Sequence, residues 1–222
     1  MTLSESLGRF KAAYTSGGRA LAARLVSRLV RTGVTPNMLS ASGVLLCVAG
    51  SVIVYFEYVH WWLFHVGSVV FVAGSLLDMF DGALARATGG GTQFGAFLDS
   101  TLDRVGEGFM LGAIALVLAR DGKEWGVALT IAAVAGSFLV SYTRARAEAL
   151  QLRGDVGLSS RVERVVIISV GLGFASLGSL PYVVAVLTAS AWITVVQRIL
   201  FVRKQLLERA AMDATAPEPP LR

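Results

Sequence analysis

The stretch DMFDGALARATGGGTQFGAFLDSTLD, residues 78–103, places four aspartates, Asp78, Asp81, Asp99 and Asp103, in a chain that otherwise reads as membrane. Of the 222 residues, 55% are hydrophobic, and the mean hydropathy is +0.65. That is too apolar for an ordinary water-soluble domain. Apolar runs long enough to cross a hydrocarbon core of about 30 Å recur at roughly 38–58, 61–82, 93–119, 125–148, 163–179 and 181–203. The aspartates fall near the end of the second run and near the start of the third. Carboxylates at membrane depth are costly, and they mark a site or an ion-pair network.

Outward from this stretch the chain divides into three parts. Before the first run, Leu7, Phe10, Tyr14, Leu21, Leu25 and Leu29 recur at near-helical spacing, with Arg9, Lys11, Arg24, Arg28 and Arg31 among them. The pattern predicts a basic amphipathic helix lying in the membrane interface over residues 1–35. A soluble helix capping the bundle fits the same pattern. No apolar block followed by a small-residue cleavage site occurs there, so a cleavable signal peptide is not expected. Thr35-Pro36-Asn37 ends this segment, because proline disfavours a helical residue before it. Residues 36–204 form the six-helix domain, and the polar, proline-rich residues 205–222 read as a flexible tail. The expected fold is an all-α integral membrane protein with six transmembrane helices and an N-terminal interfacial helix. The single Cys47 excludes an intrachain disulfide and a thiolate metal cluster.

Six spans put both termini on one side of the membrane. All but Arg120 and Lys123 of the 20 Lys and Arg fall on that side. The positive-inside bias therefore places the termini, and the loops around 83–92 and 149–162, in the cytoplasm. A basic rim facing anionic lipid accounts for the net charge of +5 without any nucleic acid. In this orientation Asp78 and Asp81 descend to the cytoplasmic end of one helix, and Asp99 and Asp103 lie just past the start of the next. At about 1.5 Å rise per residue both pairs fall roughly 10–15 Å in from the loop. Spacings of three and four residues put each pair on one helix face.

Four carboxylates facing one another in low dielectric repel, and need positive charge to stay ionised. His60 and His65 lie on the other side, and Arg86 and Arg104 offset only part of the charge. All-oxygen donors suit hard cations such as Mg²⁺, Mn²⁺ or Ca²⁺. Four carboxylates match two ions of the kind that clamp a phosphoryl group. A structural ion-pair network or a cation-transport site is also open on the spacing alone. Gly82, Ala85 and Gly95 leave room for a ligand to approach the backbone, and Arg86 offers a fork of donors for phosphate oxygens. The Gly89-Gly90-Gly91 turn lacks the GK[ST] of a Walker-type loop.

These residues, spaced D-x2-D-G-x2-A-R-x8-G-x3-D-x3-D, resemble the signature of the CDP-alcohol phosphotransferases. The chain matches it at Asp78, Asp81, Gly82, Ala85, Arg86, Gly95, Asp99 and Asp103. The resemblance covers roughly residues 1–204 and includes the TPN before the first span. It implies a two-metal centre, Mg²⁺ or Mn²⁺, on Asp78, Asp81 and Asp99, with Asp103 beside it as general base. It also implies that Asn37, Met38, Leu39, Ser40, Gly82, Arg86 and Thr92, with Ala85 and Gly95, hold the CDP part of a CDP-diacylglycerol donor, and that the enzyme is a homodimer among membrane lipids. The acceptor hydroxyl would attack the β-phosphorus and CMP would leave.

A second cluster, SYTRARAEALQLRGDVGLSSRVER, carries Arg144, Arg146, Arg153, Arg161 and Arg164. With Arg198 it suits a phosphate monoester; it also suits a plain positive-inside loop. Its RAEA, LRGD and ER elements look like the bacterial phosphatidylinositol-phosphate synthases. That likeness implies inositol 1-phosphate as acceptor, its phosphate on Arg144, Arg164 and Arg198. Two departures stand against it, since Arg144 replaces a more usual lysine and Val162 a frequent proline. Glycerol 3-phosphate, giving phosphatidylglycerol phosphate, is the competing acceptor. A cation or proton transporter is the reading from another class.

Overall fold

The computed structural model describes residues 27, 28, 30 and 33–215. The expected interfacial helix over 1–35 lies almost wholly outside the described residues, as do residues 216–222. The described residues form helices and the turns that join them, with no strand among them. The long helices are α1 (Pro36–Tyr55), α2 (Leu63–Thr88), α3 (Gln93–Arg120), α4 (Glu124–Ala149), α5 (Arg161–Gly173) and α6 (Leu180–Thr215). Short 3₁₀ turns follow α1 at Phe56–Tyr58 and α5 at Ala175–Leu177.

The local sequence sets these boundaries. Thr35 Oγ1 accepts the Met38 N–H at 3.3 Å, and Pro36, which has no N–H to leave unpaired, opens α1. The TPN triplet thus starts a helix as well as ending the segment before it. Gly89 ends α2 at φ +64°, where the left-handed conformation is cheap only for glycine. Thr92 then caps α3, its Oγ1 accepting the Gly95 N–H at 2.9 Å.

Among the described residues, four helical stretches are long and apolar enough to cross a membrane: Pro36–Tyr58, Leu63–Thr88, Glu124–Ala149 and Leu180–Met212. Two expected spans, 93–119 and 163–179, fall on helices that do not meet that standard. Helix α3 carries Asp99, Asp103, Arg104 and Glu107, and α5 has 13 residues, about 20 Å of rise. Helix α6 continues past residue 204 to Thr215, so the segment read as the start of the tail is helical. Leu45, Val52, Val69, Ile131 and Val186 are exposed, an outer surface suited to lipid.

The chain forms two compact units. One gathers the described residues up to Ala49 with Val70–Gly106, taking in the start of α1, the end of α2 and the start of α3. There α1 and α2 cross at backbone contact. A Cβ on Gly74 would lie 2.6 Å from the Gly43 carbonyl oxygen and 2.9 Å from Cys47 N. Small residues at such crossings let backbones touch where lipid gives no hydrophobic drive for association. Leu39 and Leu84 pack beside this crossing with Val34, Leu77, Phe80 and Ala83.

The other unit holds Gly50–Val69 and the described residues from Glu107 onward. Its helices α4 and α6 pack through Val140, Ala191 and Val195. Thr188 Oγ1 and Trp192 Nε1 donate to the carbonyls of Leu129 and Ala132 at 2.9 and 3.0 Å.

Candidate active site

The crossing of α1 and α2 fixes where the first aspartates lie. Asp78 is one turn beyond Gly74, and its Cβ lies 3.1 Å from where a Cβ on Gly43 would sit. Asp78 and Asp81 are buried, at 3% and 5% exposure, while Asp99 and Asp103 on α3 are half-buried. Carboxylate oxygens of Asp78, Asp99 and Asp103 all lie within 4.8 Å of one another. With metal–oxygen bonds of about 2.1–2.5 Å, the ligand oxygens of one hard cation lie from about 3 Å apart for neighbours to about 4–5 Å apart for opposite ones. The three carboxylates therefore fit one hard divalent cation.

Asp81 is engaged differently from the equal four-way cluster that the spacing suggests. Three residues along a helix is about 4.5 Å of rise and a 60° turn back. This offset takes Asp81 to Ser40, whose hydroxyl donates to Asp81 Oδ2. Asp81 and Asp99 both line a cavity of about 220 Å³. Asn37, Ser40, Gly82, Ala85, Arg86, Thr92 and Gly95 line it too, together with Pro36, Gly90, Gly91 and Ala96. Arg86 lies over Gly82, its Nη1 3.5 Å from where a Cβ would stand there. Asn37 Oδ1 lies 3.2 Å from the corresponding point at Gly95. The small residues of the motif thus keep open the space between an arginine, an amide and two carboxylates.

Two residues of the expected set are not in that lining. Leu39 is buried against Leu84, and Met38 is exposed at 56%. The helical turn carrying Asn37 and Ser40 into the cavity turns the two residues between them away, since only positions three and four apart share a face.

The arginines are placed in the second unit. Arg144 Nε donates to Glu148 at 2.9 Å on the exposed end of α4. Arg198 is 6% exposed; its Nε donates to the Val156 carbonyl at 2.8 Å and its Nη1 to the Val140 carbonyl. Arg164, 3% exposed, donates from Nε and Nη2 to the two oxygens of Glu107 at 2.6 and 2.8 Å. Its Nη1 donates to the Ser159 carbonyl at 3.0 Å. In the loop between α4 and α5, the Arg153 guanidinium beside Asp155 holds that carboxyl below its usual range. Glu163 accepts the Ser160 N–H at 2.5 Å and so opens α5. In the ER pair, then, the glutamate caps a helix and the arginine enters a buried ion pair.

Glu107 and Ser137, whose hydroxyl donates to Glu107 at 2.5 Å, were not singled out from the sequence. The available signal was an acid in an apolar helix, four residues after Asp103.

A family model described as CDP-alcohol phosphatidyltransferase matches residues 33–197. The chain belongs to this family. Membership makes it a multi-pass membrane transferase of phospholipid synthesis, and the ion-transport reading of the aspartates falls. Among relatives of this CDP-alcohol phosphatidyltransferase, the phosphatidylinositol phosphate synthase of Mycolicibacterium smegmatis is 36% identical over 201 residues, 87% of this chain and 86% of the relative. The archaetidylinositol phosphate synthase of Pyrococcus horikoshii is 37% identical over 187 residues, 82% of this chain and 91% of the relative. Crystal structures of the Mycobacterium tuberculosis phosphatidylinositol phosphate synthase are similar in fold at 32% identity. The form with CDP-DAG bound has a TM-score of 0.74 and covers 82% of this chain and 94% of that one. The form with manganese and citrate has a TM-score of 0.73 and covers 90% and 92%.

Proposed function

We propose that this protein transfers the phosphatidyl group of CDP-diacylglycerol to a hydroxyl of inositol 1-phosphate, giving phosphatidylinositol phosphate and CMP. The observation that carries the reaction is the convergence of Asp78, Asp99 and Asp103 within 4.8 Å, in the unit whose cavity is lined by Asp81, Asp99 and Arg86. The acceptor rests on the relatives named for inositol phosphate lipids.

Asn37, Ser40, Gly82, Ala85, Arg86, Thr92 and Gly95 hold the CDP moiety, with Arg86 donating to phosphate oxygens. Ser40 fixes the rotamer of Asp81. Asp103 takes the proton of the acceptor hydroxyl as its oxygen attacks the β-phosphorus, and the bond to CMP breaks on the far side. Two divalent cations, Mg²⁺ or Mn²⁺, held by Asp78, Asp81, Asp99 and Asp103, supply the charge that neutralises the diphosphate and the departing CMP. Arg144, Arg164 and Arg198 hold the acceptor phosphate. The M. tuberculosis structures with CDP-DAG and with manganese support the donor and metal assignments.

In this reading α3 and α5 complete six spans, and their charged or short helices are sheltered by protein. The termini and the site face the cytoplasm, and the enzyme works as a homodimer. The archaeal relative at 37% identity makes a CDP-archaeol-type donor the second reading for the lipid tails.

The test is CMP release by the purified protein from CDP-diacylglycerol in Mg²⁺ or Mn²⁺, comparing inositol 1-phosphate, glycerol 3-phosphate and free inositol. Release with inositol 1-phosphate alone supports the reading. Release with glycerol 3-phosphate alone overturns the acceptor and leaves the aspartate chemistry standing.

A further inference from the structure

The arginine proposed to hold the acceptor phosphate is itself held. Arg164 and Glu107 have side-chain exposures of 4% and 8%, so both charges have left water. Such a pair persists only with close geometry and further hydrogen bonds. Both are present: Glu107 takes the Nε and Nη2 edge of the guanidinium at 2.6 and 2.8 Å. The Ser137 hydroxyl donates to the same Glu107 oxygen that Nε uses, at 2.5 Å. The Ser159 carbonyl accepts from Nη1 at 3.0 Å.

A guanidinium has five N–H donors in a rigid plane, and these contacts occupy three. Gripped along one edge and at one nitrogen, the plane cannot rotate about its stem. The donors an anion would use therefore point in one fixed direction.

We infer that Glu107 is a positioning residue for acceptor binding, orienting Arg164 through a two-point ion pair that Ser137 steadies. The inference rests on the proposed role of Arg164. It assigns Glu107 no contact with substrate. Two effects of removing its charge oppose each other. The charge partly cancels that of Arg164, so its loss strengthens the long-range pull on an anion. The loss also frees a buried guanidinium to turn toward other acceptors. Bidentate recognition depends on geometry more than on net charge, so the second effect is expected to win.

The test uses E107Q, E107D and S137A in the full-length protein, with KM measured separately for inositol 1-phosphate and CDP-diacylglycerol. Inhibition by inorganic phosphate provides an independent readout of the anion subsite. E107Q should raise the acceptor KM and the phosphate inhibition constant about tenfold or more, with the donor KM within about twofold. E107D keeps the charge but withdraws the carboxylate by a methylene, and should show the same split. S137A should raise both acceptor values severalfold, and it keeps the test alive if the Glu107 variants fail to fold. Donor and acceptor KM rising together, or E107D behaving as the parent, would overturn the inference in favour of a purely structural or purely electrostatic role. R164K separates this from the broader reading. If it leaves the acceptor KM unchanged, the assignment of Arg164 fails; if it raises that KM while S137A and both Glu107 variants do not, only the positioning role fails.

Discussion

Ser40 on α1 donates to Asp81 on α2, 41 positions away in sequence, and both side chains are buried at 3% and 5% exposure. The bond directs Asp81 toward α1, although it shares a helix face with Asp78. It also ties the helix that begins at Thr35-Pro36 to the one bearing the first half of the aspartate motif. In Ser40→Ala the buried carboxylate loses this donor, which costs about 1–3 kcal/mol. Thermal unfolding should show a lower Tm, and titration with a CDP compound should show weaker donor binding. An unchanged affinity would mean that Asp81 is held by its other contacts.

The close crossing of α1 and α2 makes a second prediction. A Cβ on Gly74 would sit 2.6 Å from the Gly43 carbonyl oxygen, a backbone atom that cannot swing aside. Gly74→Ala should cost on the order of 1–3 kcal/mol through helix displacement and should lower activity, because Asp78 follows one turn later. Gly112→Ala, where an added Cβ meets nothing within 4 Å, is the control and should be close to neutral in thermal unfolding.

Asp103→Asn should keep most of the donor affinity while turnover falls on the order of 10²–10⁴-fold, the usual contribution of general-base catalysis. Single-turnover CMP release alongside equilibrium binding of a CDP lipid checks both halves. A parallel loss of binding and rate would assign Asp103 to donor binding instead of proton transfer.

Chelation should abolish CMP release, and re-addition of Mn²⁺ or Mg²⁺ should restore it. Binding only to the folded state stabilises it by about 2.7 kcal/mol at a hundredfold excess over Kd, so saturating Mn²⁺ should raise Tm. In Asp78→Asn that rise should shrink or vanish.

The parts of the site carried by regular spacing were legible in the sequence. Asp78 with Asp81 and Asp99 with Asp103 follow helical periodicity, and a glycine-rich turn brings the two helices back on each other. Gly82, Ala85 and Gly95 were readable as space, and the cavity they line is there. What spacing could not show was which contacts a side chain makes once its face is fixed. Leu39 lies between two cavity residues yet packs against Leu84, because the α1–α2 crossing decides which face of that turn is interior. The partner of Arg164 was beyond reach for a similar reason. Glu107 lies 57 positions away, and no local pattern links the two. Helix α3, expected from the sequence to be a span, falls short of the standard for one because Asp99, Asp103, Arg104 and Glu107 lie along it.

The most direct test of the account is to give the purified protein CDP-diacylglycerol with equal concentrations of inositol 1-phosphate, glycerol 3-phosphate and inositol in Mn²⁺, and to identify the lipid product by mass. The expected product is phosphatidylinositol phosphate, formed in step with CMP and lost in Asp103→Asn. Phosphatidylglycerol phosphate or phosphatidylinositol in its place would contradict the acceptor assignment, and product formation that survives Asp103→Asn at the parent rate would contradict the mechanism.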